Sequence, residues 1–385
     1  MNVPQLRFKE FKDSNNYKTK LVADIAKIAV GRDLIEDSFS PVETETHKYP
    51  IYSNTVENYG LYGFYDFQEF EGNSLTVVGR GAGLGMAFAR KGGFAAIGRL
   101  LVVFPKQESF DVQWLTEYIN FKMIIHNESG GIPQLPRSTF EGYSVVLPTL
   151  SEQTKIANFL TTIDERINQL SRKKELMTQY KQGVMQHIFS QQLRFKDDNG
   201  EDFGAWEEKN GNFLFAAISN KDHNSDLPIL AITQEHGAIP RDLIDYRVSV
   251  SDKSVETYKV VEVGDFIISL RSFQGGIEYS NYKGICSPAY LILRSKTQLN
   301  SYFYKSYFKT PEYITKLNQH LEGIRDGKMV SYKQFSEILL PLPCLAEQTK
   351  IANFLTALDE KIQHITQQIE ATKQYKQGLL QQMFV

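Results

Sequence analysis

The sequence predicts an α+β chain built twice, in which two mixed α/β domains alternate with two long coiled-coil helices. Three observations carry the prediction. A 43-residue segment recurs at a fixed offset. Its apolar residues step in a 4, 3, 4, 3 rhythm. The stretches between the copies hold short strand-like runs rich in Gly, Tyr and Phe. A length of 385 residues suits two or three domains.

The duplication comes first because it fixes the boundaries of every other element. Residues 147–167 read LPTLSEQTKIANFLTTIDERI and residues 342–362 read LPCLAEQTKIANFLTALDEKI, an offset of 195 (342 minus 147). The match runs without a gap to Phe189 and Phe384, with 24 of 43 positions identical. Upstream, QLRFK at 5–9 returns at 192–196. The unit is therefore QLRFK, a long variable stretch, then the LP-x-L-x-EQTKIANFL segment. The predicted divisions are a first domain at 1–146, a first helix at 147–190, a second domain at 191–341 and a second helix at 342–385.

Pro148 and Pro343 close the runs YSVVL and EILLPL, and Ser151 is the expected cap of the first helix, with Ala346 a weaker equivalent. The expected seam contains Ile156, Leu160, Ile163, Ile167 and Leu170, continuing through 177, 184 and 188, with Lys174 and Lys181 in its vacant positions. In the second copy it contains Ile351, Leu355, Leu358, Ile362 and Ile365, continuing to 369, 379 and 383. A 3.5-residue period held over more than four heptads predicts a left-handed coiled coil rather than a broad globular face. Each helix of about 40 residues spans about 60 Å.

In the variable stretches SLTVVG, RLLVVF, DFIISL and AYLILR read as strands, and DVQWLTEYINFKMIIH and LNSYFYKSYFKTPEYITKLNQHL as helices. The two stretches share architecture more clearly than sequence.

Catalytic motifs are missing from the reading. No Walker loop, HExxH, GxSxG or Asn-Pro-Pro-Tyr occurs, GRGAGLG at 79–85 does not match G-x-G-x-x-G, and the seven His show no metal-ligand spacing. The expectation is no catalytic residue, no metal and no cofactor on this chain. Cys286 and Cys344 fit no disulfide framework, so a reducing, cytoplasmic setting is expected. No run of 18 apolar residues predicts a membrane span.

The net charge of −2 excludes a globally basic nucleic-acid binder, so any such site must be local. Two windows qualify. From Gly72 to Gln107 there is no acid, while Arg80, Arg90, Lys91, Arg99 and Lys106 are basic. From Tyr279 to Pro311 there is again no acid, with Lys283, Arg294, Lys296, Lys305 and Lys309. Such windows suit phosphate neutralisation and base reading. Within or beside them two loops align. VGRGAGLG places Arg80 before Gly81 and Gly83, and SLRSFQGG holds Arg271, Ser272 and Gln274 before its glycines. Glycine permits close approach, and a loop arginine reaches guanine or phosphate. Exit loops GGIPQLPRS and GIRDGKMVSYK add Arg137, Arg325, Lys328 and Lys333.

LRF, a variable domain, LP-x-L-x-EQ-x-x-IA-x-FL-x-x-x-D-x-x-I and a QYKQG helix end, all repeated, resemble the specificity subunit of type I restriction-modification systems. The resemblance covers the whole chain and is carried by Glu152–Leu160, Glu347–Leu355, Gln179–Gly183 and Gln374–Gly378. FGAWEE at 203–208 matches the usual opening of the second variable domain, whereas the first copy has Tyr17 where Trp is usual. The resemblance implies two target recognition domains, each reading half of a bipartite asymmetric sequence in double-stranded DNA. It implies that the helices pair antiparallel, hold the domains apart and dock two methyltransferase subunits, which bind S-adenosylmethionine. It also implies two restriction (translocase) subunits in the full assembly. Two other classes fit the residues less well: a tandem-domain protein-binding scaffold, which salt-dependent DNA binding would exclude, and a degenerate methyltransferase, which direct S-adenosylmethionine binding would revive.

Overall fold

The computed structural model describes residues 4–14, 17–127, 130–224, 226–244, 255–268, 277–319 and 331–384. The chain divides into two compact units. Unit 1 holds Met1–Ser171 and Gln367–Val385, and unit 2 holds Arg172–Thr366. The two cuts, after Ser171 and after Thr366, are separated by the same 195-residue offset as the duplication. Each unit therefore takes its own recognition stretch, the first half of the helix that follows it and the second half of the other helix.

Both units are built on the same four-stranded antiparallel sheet. In unit 1 its order is Ala26–Val30, Leu101–Pro105, Ser74–Val77, Ala87–Arg90. In unit 2 it is Phe215–Ile218, Leu291–Ser295, Phe266–Ile268, Glu278–Tyr279. All four strand-like runs singled out above lie in these sheets. A two-stranded ribbon closes each unit, pairing Lys18–Leu21 with Ser144–Leu147 and Glu207–Asn210 with Leu339–Leu342. The units differ outside this frame. Unit 1 carries a five-stranded sheet in which Tyr49–Tyr52 runs parallel to Gly93–Ala96. Unit 2 has two ribbons, Leu230–Thr233 with Gly237–Pro240 and Lys259–Val261 with Gly284–Cys286.

The predicted domain helices form at Val112–Lys122 in unit 1 and at Ser301–Tyr307 and Pro311–Gln319 in unit 2. The single helix expected in unit 2 is thus split where Pro311 has no N–H to continue it. Asp111 and Asn300 cap the first helix of each set through their side-chain oxygens.

The long helices run Leu150–Phe189 and Leu345–Met383. Their caps differ from expectation. Ser151 lies inside the first turn, and Thr149 takes the capping place, its Oγ1 accepting from Glu152 N at 3.4 Å. Cys344 stands at the equivalent point of the second copy.

The seam residues are mostly buried, each among partners from its own unit. In unit 1, Ile156, Leu160 and Ile163 share a core with Trp114, Leu147, Leu379, Met383 and Phe384. In unit 2, Ile351, Leu355 and Leu358 share a core with Phe303, Tyr304, Ile188 and Phe189. The first half of each helix meets the last turns of the other, which is antiparallel pairing inside each unit. Ile167 and Ile362 are half-buried, and Leu170 and Ile365 are buried. The helix face is therefore shared between a two-helix seam and a domain core.

Two ion pairs mark this register. In unit 1, Lys376 Nζ donates to Asp164 at 2.8 Å and to Glu117 at 3.0 Å. In unit 2, Lys181 Nζ donates to Asp359 at 2.5 Å. Asp164 and Asp359, and Lys181 and Lys376, are repeat equivalents. Leu6 N donates to Gln382 O at 2.9 Å in unit 1, and its counterpart Leu193 N donates to His187 O at 3.0 Å in unit 2.

Candidate nucleic-acid interface

Each unit first needs a support that fixes its recognition stretch to the helix, and the repeated motif supplies it. Arg7 Nε and Nη2 each donate at 2.7 Å to the two carboxylate oxygens of Glu152, whose side chain is fully buried. Tyr17 Oη donates to the same carboxylate at 2.9 Å. In unit 2, Arg194 donates to Glu347 at 2.9 and 2.7 Å, and Trp206 Nε1 donates at 2.9 Å. Tyr17 thus replaces Trp without losing the hydrogen bond. The next residue fixes the neighbouring elements. Gln153 Nε2 donates to Pro148 O and its Oε1 accepts from Asp111 N. Gln348 does the same with Pro343 O and Asn300 N. QLRFK and EQ are therefore one structural device, spelled at two ends of each unit.

On this frame, unit 1 gathers several loops at one end of its central sheet. Residues 78–86 link Ser74–Val77 to Ala87–Arg90, held by Val78 N to Met86 O and Gly85 N to Val78 O, each at 2.8 Å. Gly81 and Gly85 adopt left-handed φ values of 97° and 84°. Gly83 leaves space for Val56, whose methyl a Cβ there would overlap. The glycines thus shape the loop against the protein's own chain. The exit loop joins it: Gly81 N donates to Pro133 O at 3.0 Å, Leu135 N donates to Gly79 O at 2.9 Å, and Arg80 pairs with Gln134 in an antiparallel bridge. Asn54 accepts from Gly79 N and donates to Gly98 O, bringing in the turn before Arg99.

Arg80, Arg99, Gln134 and Arg137 are exposed on these converging loops. Arg137 is paired with Glu141 at 2.7 Å, while Arg80 and Arg99 make no ion pair among the described residues. Lys91 is exposed at the opposite end of Ala87–Arg90 from the loop, on a cleft of ≈460 Å³ shared with Glu108 and Asp111. Arg90 corrects the sequence reading. It is buried, with its guanidinium 3.4 Å from the Tyr52 ring centroid, so it cannot reach a phosphate. It lies on Ala87–Arg90 in a position that faces inward.

Three of the five cations in the unit 2 window meet carboxylates, while Lys296 is exposed and donates to Asn212 O at 2.9 Å. Lys283 pairs with Glu262 at 3.0 Å, Arg294 forks onto buried Asp265 at 2.7 Å through both nitrogens, and Lys309 pairs with Glu278 at 2.5 Å. The carboxylates come from just outside the window and return across the sheet. Lys283 is exposed and shares its charge with Glu262. Lys305 sits over the rings of Tyr279 and Tyr302, and its burial pushes its pKa down. Lys333 is exposed on the first turn of Tyr332–Glu337. Arg271, Ser272, Gln274, Arg325 and Lys328 lie outside the described residues.

Sequence reasoning did not single out the turn at 53–60, which borders the Arg80 loop through Asn54 and Val56. Its signal was available in Asn58-Tyr59-Gly60, a turn-type triplet. Among the described residues there is no metal-ligating cluster, and no helix is long and apolar enough to cross a membrane.

Comparison with known proteins bears on both units. The family model for the type I restriction modification DNA specificity domain matches residues 14–178 and 201–374. The chain is 25% identical over 351 residues to a putative type I specificity subunit of Mycoplasma pneumoniae, covering 89% of each chain. It is 27% identical over 254 residues to a putative type I restriction enzyme specificity subunit of Methanocaldococcus jannaschii, covering 61% of this chain and 58% of that one. Its fold is similar to the crystal structure of a type I restriction-modification S subunit from M. genitalium, with a TM-score of 0.64, 15% identity and 99% of each chain covered. It is also similar to a chain from a structural study of type I restriction-modification complex assembly, with a TM-score of 0.53, 15% identity and coverage of 94% and 96%.

Proposed function

The chain belongs to the type I restriction modification DNA specificity family, and on that premise we propose how its two units divide the work. It is the DNA-recognition subunit of a type I restriction-modification system, with two tandem target recognition domains. Each domain reads one half of a bipartite, asymmetric sequence in double-stranded DNA. In the first domain, Arg80 and Arg99 supply cationic contacts and Gln134 a polar one. Lys91 and Arg137 lie further along the DNA backbone. In the second, the segments bearing Arg271, Ser272, Gln274, Arg325 and Lys328, together with Lys333 on Tyr332–Glu337, take the same part.

The observation that carries this reading is the repetition of the support. An Arg–Glu fork, a Gln bridge and a Lys–Asp pair recur in both units, while the loops they hold differ. A constant frame with variable loops is what two independent readers require. The long helices set the spacing and dock two methyltransferase subunits. Those partners carry the S-adenosylmethionine and the chemistry, and this chain contributes recognition alone. Two restriction (translocase) subunits complete the assembly, which works in the cytoplasm.

The test is methylation-site mapping in cells carrying this chain with its partner methyltransferase. A single bipartite asymmetric motif is expected. Methylation at a continuous palindrome, or none above background, contradicts the reading.

A further inference from the structure

Arg90 is a buried cation that pairs with no carboxylate among the described residues. Its guanidinium lies 3.4 Å from the ring centroid of Tyr52 and 5.2 Å from that of Phe88. Nε donates to Thr76 Oγ1 at 3.0 Å and Nη2 donates to Tyr59 O at 2.6 Å. Burial pushes the guanidinium down to about 10. Enclosing an arginine in this way is costly unless it does something an apolar side chain cannot.

What it does is hold one turn. Asn58, Tyr59 and Gly60 have consecutive left-handed φ values of 45°, 55° and 84°. Two of the three are not glycine, so the turn is held in a backbone conformation that side chains other than glycine adopt at a cost. Gly60 is required in addition by space, because a Cβ would lie 3.1 Å from Ser53 O. Arg90 takes the Tyr59 carbonyl from below, and Ser53 N donates to Gly60 O at 2.8 Å. The product of a buried charge and a strained turn is a Tyr59 ring that is 63% exposed, propped edge-on by Phe88. Strain and burial spent to aim an exposed aromatic mark a functional position rather than a core one. Val56 of the same turn lies against Gly83 of the Arg80 loop, so the turn that carries Tyr59 borders that loop.

We propose that Tyr59 is a specificity-determining residue of the first recognition domain, placing its ring against a base step or thymine methyl, and that Arg90 is its positioning residue. A rigid aromatic beside arginines offers apolar contact to bases where the arginines hold phosphate or guanine. The inference rests on the DNA-recognition reading above.

The experiment uses the full chain assembled with its methyltransferase and the cognate duplex. Tyr59→Ala is expected to lower discrimination at one base pair of the first half-site by about tenfold, leaving the second half-site and thermal stability unchanged. Tyr59→Phe should keep the wild-type motif, since the ring and not the hydroxyl makes the contact. Arg90→Gln should relax the same base pair, and Tyr59→Ala/Arg90→Gln should relax it no further, although both Arg90 variants lose stability. An unchanged motif and affinity in Tyr59→Ala overturns the proposal, even if Arg90→Gln fails to fold. So does an equal loss on all sequences. Arg80→Ala in the same assay separates the two levels. If it weakens binding while Tyr59→Ala does nothing, the ring proposal fails and the DNA reading stands. If the wild-type assembly shows no sequence preference, the DNA reading itself fails.

Discussion

Glu152 and Glu347 have fully buried side chains, and each accepts from an arginine fork and one further N–H or O–H donor. Removing one partner of such a pair leaves a buried charge without compensation, at a cost of about 3–5 kcal/mol. Arg7→Ala should therefore lower the denaturant midpoint of unit 1, and Arg194→Ala that of unit 2, with Arg194 the milder because it is more exposed. Trp206→Phe removes a single donor and should cost only about 1 kcal/mol. Urea melts followed by fluorescence measure all three. At the interface, Arg80→Ala should weaken specific DNA binding by about 1–3 kcal/mol and reduce its salt dependence, with no change in folding, because the side chain is exposed. Equal wild-type and mutant affinities at fixed salt would remove Arg80 from the site. Residue roles were the least legible part of the sequence. Charge windows are one-dimensional, and Glu262, Asp265 and Glu278 stand only a few residues outside one of them, yet they pair with three of its cations across the sheet. Arg90 looked like its basic neighbours because strand alternation alone does not say which face is covered.

At the scale of elements, the duplicated helices were legible almost to their ends, since period and identity act over 40 residues. The central strands were legible as short apolar runs bounded by turn residues, buried over most of their length. What period does not encode is the partner. Ile156 and Leu160 face a domain core and the end of the other helix together, and the shared apolar stripe looks the same either way. The Lys–Asp pairs settle the register inside each unit. Lys376 bridges Asp164 and Glu117 with 17% of its side chain exposed, whereas Lys181 has Asp359 alone at 21%. The two carboxylates outweigh the effect of burial and push the Lys376 pKa up. Lys376→Met should cost about 1–3 kcal/mol and more than Lys181→Met, because it strands the buried Glu117 and the half-buried Asp164 instead of Asp359 alone. The charge-swapped Asp359→Lys/Lys181→Asp variant should recover most of what either single change loses. Calorimetric melting of the two methionine variants, the two single charge reversals and the double swap checks both statements.

For the whole molecule, helix length should set the spacer if the domains read the DNA and the helices measure it. One heptad inserted after Leu170 and another after Ile365 keeps the seam phase and leaves both Lys–Asp pairs intact. It adds about 10.5 Å, or about three base pairs of unread spacer. Site mapping on an active variant should show the longer spacer with both half-sites unaltered, and an unchanged spacer would remove the helices as the ruler. Independence of the two readers is the central claim, because the repeated supports matter only if each unit carries its own specificity. Exchanging residues 10–146 for the same stretch of a related chain, followed by mapping of methylated sites, tests it most directly. The account predicts a new sequence in one half-site with the other half and the spacer retained. A change in both half-sites would contradict it.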